Sequence, residues 1–250
     1  MKLNFDIIDK VIPSGTIYIE NDNDMAFSLF DNRVNFQYAF RNEKQINIEE
    51  RDNESGIKGI YYCISQKNLF STKNNGERYT NEEIEAKINS DGVGGWIQYN
   101  TPITLGKSTK NIIYAKIVDN NDNVRYINSQ GIIVYDDVSA ITDVTYTKTT
   151  KSDIEIVSDL DKNTIKELRI NDNTLEEGET ADYTVFDSDG AREVRLNGEY
   201  LDSLLAGEHT IVASYNPMVE EFNDKFVEGD KPQDVIIRLR AYPEISDDPE

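Results

Sequence analysis

The chain holds one histidine and one cysteine, so the residue types that most often do catalytic chemistry are scarce. His209 stands at the predicted start of a strand, and its spacing to serine residues and to Cys63 forms no nucleophile–base motif; a catalytic triad also needs a carboxylate that orients the base. Cys63 lies in an apolar run, Ile60 to Ile64, which predicts a small packed side chain. We interpret both residues as structural and assign no catalytic residue. They also lie too far apart to form a transition-metal ligand set.

The 47 acidic residues leave two other kinds of chemistry open. A pair of carboxylates could hydrolyse glycosidic bonds, although two small sandwiches are not expected to form a catalytic cleft. Loops 21–24 (Asn-Asp-Asn-Asp) and 119–123 (Asp-Asn-Asn-Asp-Asn) are oxygen-rich in the manner of calcium-binding segments. Neither has the glycine and glutamate spacing of an EF-hand, and Asp and Asn favour ordinary turns. We interpret both loops as turns and predict no metal or cofactor site.

Alternating apolar residues and regularly spaced turns predict an all-β chain. In the first half, short strands fill residues 11–64. Segments 112–118 and 124–128 predict a hairpin, and 131–135 predicts a closing strand. In the second half, strands are predicted at segments that share the same alternation and turn signals: 154–157, 168–170, 183–185, 194–196, 211–215 and 235–240.

Two short helices interrupt the strands. Thr80 and Glu83 form a capping-box pair at the start of residues 80–89, which predicts a helix that crosses between two sheets. Tyr200, Leu201, Leu204 and Leu205 fit one face of a single helical turn. Residues 216–233 are the least regular part of the chain; a helix after Pro217 would place Met218, Val219, Phe222 and Phe226 on one side.

The negative charge is unevenly distributed. Residues 1–137 contain 15 basic and 20 acidic residues, whereas residues 138–250 contain 11 and 27, and the total net charge is −21. So acidic a surface repels nucleic-acid phosphates and anionic lipid headgroups, which argues against both partners. We predict no membrane insertion, because no apolar run is long enough to span a bilayer. The first residues lack the apolar core of a signal peptide, and the tail after Pro243 is typical of a linker.

The first half resembles the Ig-like repeats of surface proteins from Gram-positive, Clostridium-like bacteria over residues 12–136. The matching motifs, in order, are Pro13-Ser14-Gly15, Asp52 to Ile57, Tyr61-Tyr62, Trp96-Ile97-Gln98-Tyr99, Ile113 to Lys116, Asp119 to Asn123, and Ser129 to Ile132.

The second half resembles the X2-type Ig-like module of cellulosomal and other secreted bacterial proteins over about residues 150–240. Its matching motifs are Leu175 to Gly178, Asp182 to Val185, Leu196-Asn197, Tyr200-Leu201 with Leu204, and Gly207 to Thr210. Segment 216–233 departs from the compact module and is interpreted as an insertion, where a binding loop would be expected.

These resemblances imply an extracellular, non-catalytic pair of modules. They place Trp96 in the core; Trp96 and Tyr99 lie three apart on a predicted strand and should point to opposite faces, so at most one would point inward and an exposed one could stack on a sugar. Some surface sandwiches of this kind carry Lys–Asn or Lys–Asp isopeptide bonds, for which Lys58 and Lys116 are candidate donors.

We therefore predict two tandem immunoglobulin-like β-sandwiches with one or two short helices, at residues 1–137 and 138–250. The expected role is a non-catalytic spacer or accessory module of a bacterial cell-surface or secreted multidomain protein. Its partners would be neighbouring domains of that protein, with a glycan or a host protein as further candidates. The alternatives are an adhesion or carbohydrate-binding module and, more distantly, a structural protein of a virion or appendage. A binder should expose an apolar patch, whereas a spacer needs none.

Overall fold

The computed structural model describes residues 9–70, 73, 77–91, 93–217 and 231–243, apart from the side chains of residues 22–24. The chain divides into two compact units, of which unit 1 runs to Val134 and unit 2 begins at Tyr135. Strands dominate both units, so the predicted all-β class with two short helices is confirmed.

The described residues of unit 1 form ten strands and one helix. Their bounds are β1 Ser14–Ile19, β2 Asp22–Phe27, β3 Phe36–Phe40, β4 Lys44–Arg51, β5 Ile57–Ser65, α1 Asn81–Ser90, β6 Ile97–Gln98, β7 Ile103–Leu105, β8 Thr109–Asp119, β9 Val124–Asn128 and β10 Gly131–Val134. One sheet has the order β2-β1-β4-β7, and the other has the order β3-β10-β8-β5-β6 with β9 also paired to β8. The predicted hairpin is present as β8 and β9, and the closing strand as β10.

Strand β8 is buried on both faces, so unit 1 has three layers. Its odd-numbered residues Ile113, Ala115 and Ile117 join the core between the two sheets, as period-two alternation requires. Ile112 and Tyr114 point the other way, into an outer layer formed with helix α1 and Phe70. This outer layer covers the face that would otherwise meet solvent.

Helix α1 begins where the sequence predicts, but its role in the topology differs. The capping box of Thr80 and Glu83 is present in full, and Ile84 and Ile88 are buried. The prediction that the helix crosses between the sheets is wrong, because the flanking strands β5 and β6 pair with each other in one sheet. The helix instead packs its apolar face on the outside of that sheet.

In the part of unit 2 that the structure describes, there are nine strands and one helix. Their bounds are β11 Ser139–Ala140, β12 Asp143–Thr147, β13 Ile154–Asp159, β14 Thr164–Ile170, β15 Asn173–Thr174, β16 Tyr183–Ser188, β17 Ala191–Leu196, α2 Gly198–Ser203, β18 Gly207–Asn216 and β19 Val235–Tyr242. The sheet orders are β11-β13-β17-β16 and β12-β19-β18-β14-β15.

The strand order of unit 2 is that of an immunoglobulin-like sandwich. In that fold, strands A, B, E and D form one sheet, and C, F and G form the other. Strands β11, β13, β17 and β16 take the first set of places, and β14, β18 and β19 the second. Strand β12 then runs parallel to the last strand, β19. Unit 1 repeats this feature, since β3 runs parallel to β10 beside β8 and β5.

The parallel pairing in unit 1 depends on a glycine from the Ser-x-Gly-Ile motif. A Cβ atom on Gly131 would lie 2.7 Å from the Cα atom of Phe36, which is closer than two carbon atoms can approach. Only glycine therefore allows β10 to lie against β3 at this point.

Unit 2 has a single apolar core between its two sheets. Val194, Leu196, Ile211 and Ala213 are fully or almost fully buried, as their predicted alternation requires. Helix α2 adds Leu201, and Tyr200 and Leu204 pack beside it. The prediction that Leu205 shares this face is wrong: its side chain is 81% exposed, because the helix ends at Ser203.

Candidate functional site

His209 has both ring nitrogens engaged in hydrogen bonds. Nδ1 lies 2.6 Å from the side-chain nitrogen of Asn171, and Nε2 lies 2.8 Å from the carbonyl oxygen of Leu205. An Nε2–H that donates to Leu205 leaves Nδ1 to accept from Asn171. The ring is 8% exposed and ties the turn before β18 to the end of β14. This geometry agrees with a structural role.

Cys63 is fully buried in the outer layer of unit 1. Burial raises the pKa of its thiol to about 12, with a further contribution from the negative charge of Glu85. The thiolate is the reactive form, so this thiol is suppressed as a nucleophile in the folded protein.

Glu85 is the centre of a half-buried polar cluster on α1. Its Oε1 atom accepts from Lys116 Nζ at 2.8 Å and from the Tyr126 hydroxyl at 2.6 Å, and its Oε2 atom accepts from Trp96 Nε1 at 2.7 Å. Burial opposes ionisation of the carboxyl, but these three hydrogen bonds outweigh it and lower the pKa of Glu85. The carboxylate stays charged and is held by the fold.

Trp96 and Tyr99 pack on different apolar clusters, as their spacing predicts. Trp96 lies half-buried in the outer layer, with its ring centroid 5.9 Å from that of Tyr126. Tyr99 packs on the core between the sheets, and its hydroxyl accepts from the backbone N–H of Ile48. Only Tyr99 therefore points into the core between the sheets, in agreement with the expectation that at most one ring would point inward. Both side chains are partly buried.

The two candidate isopeptide donors have carboxylate partners of different kinds. Lys58 Nζ lies 2.6 Å from Asp122 Oδ1, and both side chains are more than half exposed. Lys116 lies against Glu85, and its ammonium stands 4.9 Å from the centre of the Trp96 ring. Amide formation requires a neutral carboxylic acid, and the lowered pKa of Glu85 opposes that form.

Loop 119–123 is a turn, but its first residue also belongs to a larger acidic group. Asp119 Oδ1 accepts from the backbone N–H groups of Asn121 and Asn123, and Oδ2 accepts from the side chain of Asn123 at 2.7 Å. Asp122 has a φ of 65°, the left-handed geometry that Asp tolerates. The prediction of a hairpin turn is thus confirmed. In loop 21–24, Asn21 also has a positive φ, and the side chains of 22–24 lie outside the described part.

Three carboxylates from distant segments converge beside this turn. One oxygen each of Asp9, Asp52 and Asp119 lies within 4.8 Å of the others. Asp52 begins the β4–β5 loop, where it accepts from the N–H of Glu54 and the hydroxyl of Ser55, and Gly56 supplies a φ of +80°. The two loops are joined directly, since the side chain of Asn120 donates to the Ser55 carbonyl at 2.7 Å. We call this group the acidic cluster.

The acidic cluster and the role of Glu85 were not predicted from the sequence. Asp52 and Asp119 meet because β5 pairs with β8, which places Asp119 opposite Ile57, just after the first loop. Asp9 carries no local signal, since it precedes the first strand and reaches the cluster only through the tertiary fold. Glu85 was hidden because its partners come from three different segments.

Unit 1 also has a groove lined by apolar and charged residues. Its cavity volume is about 660 Å³. Leu29, 70% exposed, and Ile12, 54% exposed, form its apolar part, and Arg33, Arg78 and Arg125 stand beside them. The other segment singled out for binding, 216–233, has Phe222 and Phe226 outside the described residues.

Within the described residues, no helix is long and apolar enough to cross a membrane.

Comparisons with known proteins find similar folds but no relative in sequence. No family model matches the chain, and no curated protein matches it. Among solved structures, the titin Ig tandem domains A164-A165 align over 94% of this chain and all of theirs, with 8% identity and a TM-score of 0.33. The fibronectin(III)-like modules of Clostridium thermocellum CbhA align over 91% of this chain and 94% of theirs, with 12% identity and a TM-score of 0.23.

A third structure contains a bound glycan. The SGBP-B protein of the Bacteroides ovatus mixed-linkage glucan utilization locus, in complex with a mixed-linkage heptasaccharide, aligns over 92% of this chain. The identity is 10% and the TM-score 0.24, and this chain spans about half of that protein. The strand orders described above, rather than these likenesses, define the immunoglobulin-like fold.

Proposed function

We propose that this chain is a non-catalytic spacer or accessory module, with units at residues 1–137 and 138–250, of a bacterial cell-surface or secreted multidomain protein. The bacterial, extracellular origin rests on the sequence resemblance to Ig-like surface repeats and to the X2-type module. The structural role rests on how the backbone passes through each unit.

In unit 2 the chain enters at one end and leaves at the other. The early strand β12 and the last strand β19 run parallel, with Asp143 opposite Arg238 and Thr147 opposite Tyr242. Because parallel neighbours point the same way, β19 delivers the chain to the end opposite that where β12 begins. A module with this geometry extends the polypeptide by its own length.

In unit 1 the chain also enters at one end and leaves at the other. Asp9 lies at the Asp119 end of β8, where the side chain of Asn123 donates to its carbonyl oxygen. Strand β10 runs antiparallel to β8 and leaves at the opposite end, with Val134 beside Thr109. At about 3.3 Å per residue, the 11 residues of β8 span roughly 35 Å, which is the extension that unit 1 would supply. This end-to-end passage is the observation that carries the proposal.

The side chains that could do chemistry support the same reading. The nitrogens of His209, the thiol of Cys63 and the carboxylate of Glu85 are all engaged or buried within the fold. The net charge of −21 favours a well-hydrated surface that repels other acidic chains.

Force spectroscopy on the full chain tests the spacer. We call the parallel strand pair β12–β19 the seam of unit 2. When the chain is pulled from its two ends, these strands are sheared past each other, so the hydrogen bonds between them must break together rather than one by one. Lys148→Pro, directly after β12, removes the backbone N–H that donates to the Tyr242 carbonyl oxygen at 2.9 Å, and we expect it to lower the unfolding force of unit 2 alone. Lys148→Ala is the matched control, because it loses the same side chain but keeps this N–H, and it should unfold at a higher force than the proline variant. Equal forces for the proline variant and the wild type would contradict load transfer through this seam.

The groove in unit 1 favours a second candidate, an adhesion or carbohydrate-binding module, because Leu29 and Ile12 are exposed there. A glycan array probed with the full chain tests it. Binding that Leu29→Asp abolishes, and that the control Leu205→Asp on unit 2 leaves intact, would establish the groove as a binding site. An array without a signal above background would leave the spacer as the function.

A further inference from the structure

The acidic cluster contains a buried carboxylate oxygen that has no partner. Asp9 is 8% exposed; its Oδ1 atom accepts from the backbone N–H of Val11 at 2.7 Å, while Oδ2 is buried and makes no hydrogen bond within the described residues. A buried charged oxygen without a partner is costly to keep in a fold. The other members of the cluster cannot satisfy it, because ionised carboxylates only accept hydrogen bonds.

Like charges surround this carboxylate. Asp52 and Asp119 each place an oxygen within 4.8 Å of one on Asp9. Hydrogen bonds from Glu54 and Ser55 hold Asp52, and those from Asn121 and Asn123 hold Asp119. The two loops therefore keep their carboxylates close to Asp9.

No basic side chain in the described part of the chain neutralises the cluster. Lys10, next to Asp9, is exposed, and no salt bridge among the described residues joins it to the cluster. Lys58 pairs with Asp122, and Arg51 donates through Nε to the side-chain oxygen of Asn53. Three acidic side chains are therefore held together at one end of unit 1 without an ion-paired cation among the described residues. A bound cation would offset their mutual repulsion.

We propose that Asp9, Asp52 and Asp119 form a calcium-binding site at the end of unit 1 where the chain enters. The donor set consists of oxygen atoms, which suits a hard cation and gives transition metals neither nitrogen nor sulfur. A Ca²⁺ ion sits about 2.3–2.6 Å from its ligands. A point between three oxygens that lie within 4.8 Å of one another is at most about 2.8 Å from each, so a small inward shift of the side chains lets one ion touch all three. The flexible geometry of calcium suits ligands from two loops and an extended segment better than the strict octahedron of magnesium does.

The bound ion would join three segments that are far apart in sequence. Asp9 precedes the first strand, Asp52 lies between β4 and β5, and Asp119 is the last residue of β8. Calcium would fasten the incoming chain to both loops and stabilise unit 1, since a ligand that binds only the folded state shifts the unfolding equilibrium. The inference does not depend on the spacer function.

Calorimetry on the full chain tests the site directly. Protein treated with EDTA is titrated with CaCl₂ at constant ionic strength, and we expect one binding event per chain. At about 5 mM calcium, well above the roughly 0.1–1 mM dissociation constants of extracellular calcium modules, the melting temperature of unit 1 should rise by about 4–6 °C. Magnesium at the same concentration should give less than half of this rise.

Two variants separate a bound ion from general charge screening. Asp9→Asn keeps the acceptor for Val11 but removes the charge, so it should abolish the calcium-dependent rise. In EDTA the same variant should melt at or above the wild-type temperature, because a repulsive charge has been lost. Asp122→Asn, in the same loop but outside the cluster, is the matched control and should retain the full rise.

The proposal fails if the wild type binds no calcium, if Asp9→Asn keeps the rise, or if magnesium and calcium act equally. Should Asp9→Asn fail to fold, Asp52→Asn serves in its place, since its remaining side-chain oxygen can still accept from Glu54. The wild-type titration needs no variant and decides the matter alone.

Discussion

The two units differ in how their acidic side chains are arranged. The half with the smaller net negative charge is the one in which carboxylates converge without a paired cation among the residues that the structure describes. Residues 138–250 hold 27 acidic residues, and some of them face cations across the strands; Asp143 lies near Arg238 and Arg240, and Glu208 pairs with Arg240. Residues 1–137 hold fewer acids, yet three of them converge at one end. Net charge therefore does not locate a cation site; the meeting of carboxylates without a counter-charge does.

The units differ in their layers as well. Unit 2 has one core between two sheets, whereas unit 1 adds an outer layer in which aromatic rings and helix α1 cover the second face of β8. The extra layer holds the only tryptophan and the only cysteine of the chain. Fluorescence of Trp96 consequently reports on unit 1 alone, which makes the comparison measurable.

The largest expected effect comes from Phe70→Ala in the outer layer. Phe70 is fully buried, and its ring lies 4.9 to 5.3 Å from the rings of Phe30, Tyr79 and Tyr114. The loss of this ring should destabilise unit 1 by about 3–5 kcal/mol. Urea unfolding followed by Trp96 fluorescence measures it. A change in unit 2, followed by hydrogen exchange of β18, would show that the layer is not specific to unit 1.

The next effect is expected at the polar centre of the same layer. Glu85→Ala removes the acceptor of three donors, so we expect unit 1 to lose about 2–3 kcal/mol, less than for a fully buried ion pair because a third of the Glu85 side chain is exposed. Glu85→Gln keeps two of the contacts and should lose less. Equal losses for the two variants would mean that packing, not hydrogen bonding, fixes α1.

Acid should destabilise unit 1 through protonation of Glu85. The pKa of Glu85 is lowered in the folded state, so its stabilising effect is present above the ordinary value near 4.5 and is lost as the pH falls through the lower folded value. Between pH 5 and pH 3, wild-type unit 1 should therefore lose more stability than the Glu85→Gln variant. The difference in urea midpoint at each pH measures this, and parallel pH profiles would contradict it.

In unit 2, the hydrogen bonds of the Tyr146 hydroxyl are the counterpart of the Glu85 cluster, and a smaller effect on stability is expected from their loss. The hydroxyl of the buried Tyr146 donates to Asp202 and contacts the carbonyl oxygen of Gly198, which anchors α2 to β12. Tyr146→Phe should cost about 1 kcal/mol, the usual net value of one hydrogen bond. Calorimetry should show a lower melting temperature for unit 2 only. A loss as large as that of Glu85→Ala would remove the contrast between the units.

The smallest effect is expected on the surface of unit 1. The exposed ion pair of Lys58 and Asp122 should contribute little, so Lys58→Gln should leave the melting temperature unchanged. The intact mass of the wild type should equal its sequence mass, without the loss of water or ammonia that an isopeptide bond at Lys58 or Lys116 would cause. A mass deficit would overturn our description of both lysines.

The features that the sequence predicts correctly are those with local causes. Alternation over β17 and β18, the Asp-rich hairpin and the capping box of α1 each act within a few residues. Leu205 was misplaced because helix periodicity does not show where a single turn stops. The outer layer of unit 1 was not predicted, because Phe30 and Phe70 lie in segments without periodicity. The position of Asp9 in the acidic cluster was not predicted either, because its neighbours are set by tertiary structure.

The parallel strand pairs, β3–β10 in unit 1 and β12–β19 in unit 2, also determine when each unit can complete its fold. Phe36 pairs with Gly131, and Asp143 with Arg238, so each strand pair joins residues about 95 positions apart. Closing so long a loop loses chain entropy before the contacts between the two strands can offset it. We therefore expect these strand pairs to form late in folding. During synthesis, neither unit can close until its last strand has left the ribosome. Strands β3 and β12 leave the ribosome about 95 residues before their parallel partners β10 and β19, so their unpaired edges are exposed to wrong partners for most of the translation of their unit.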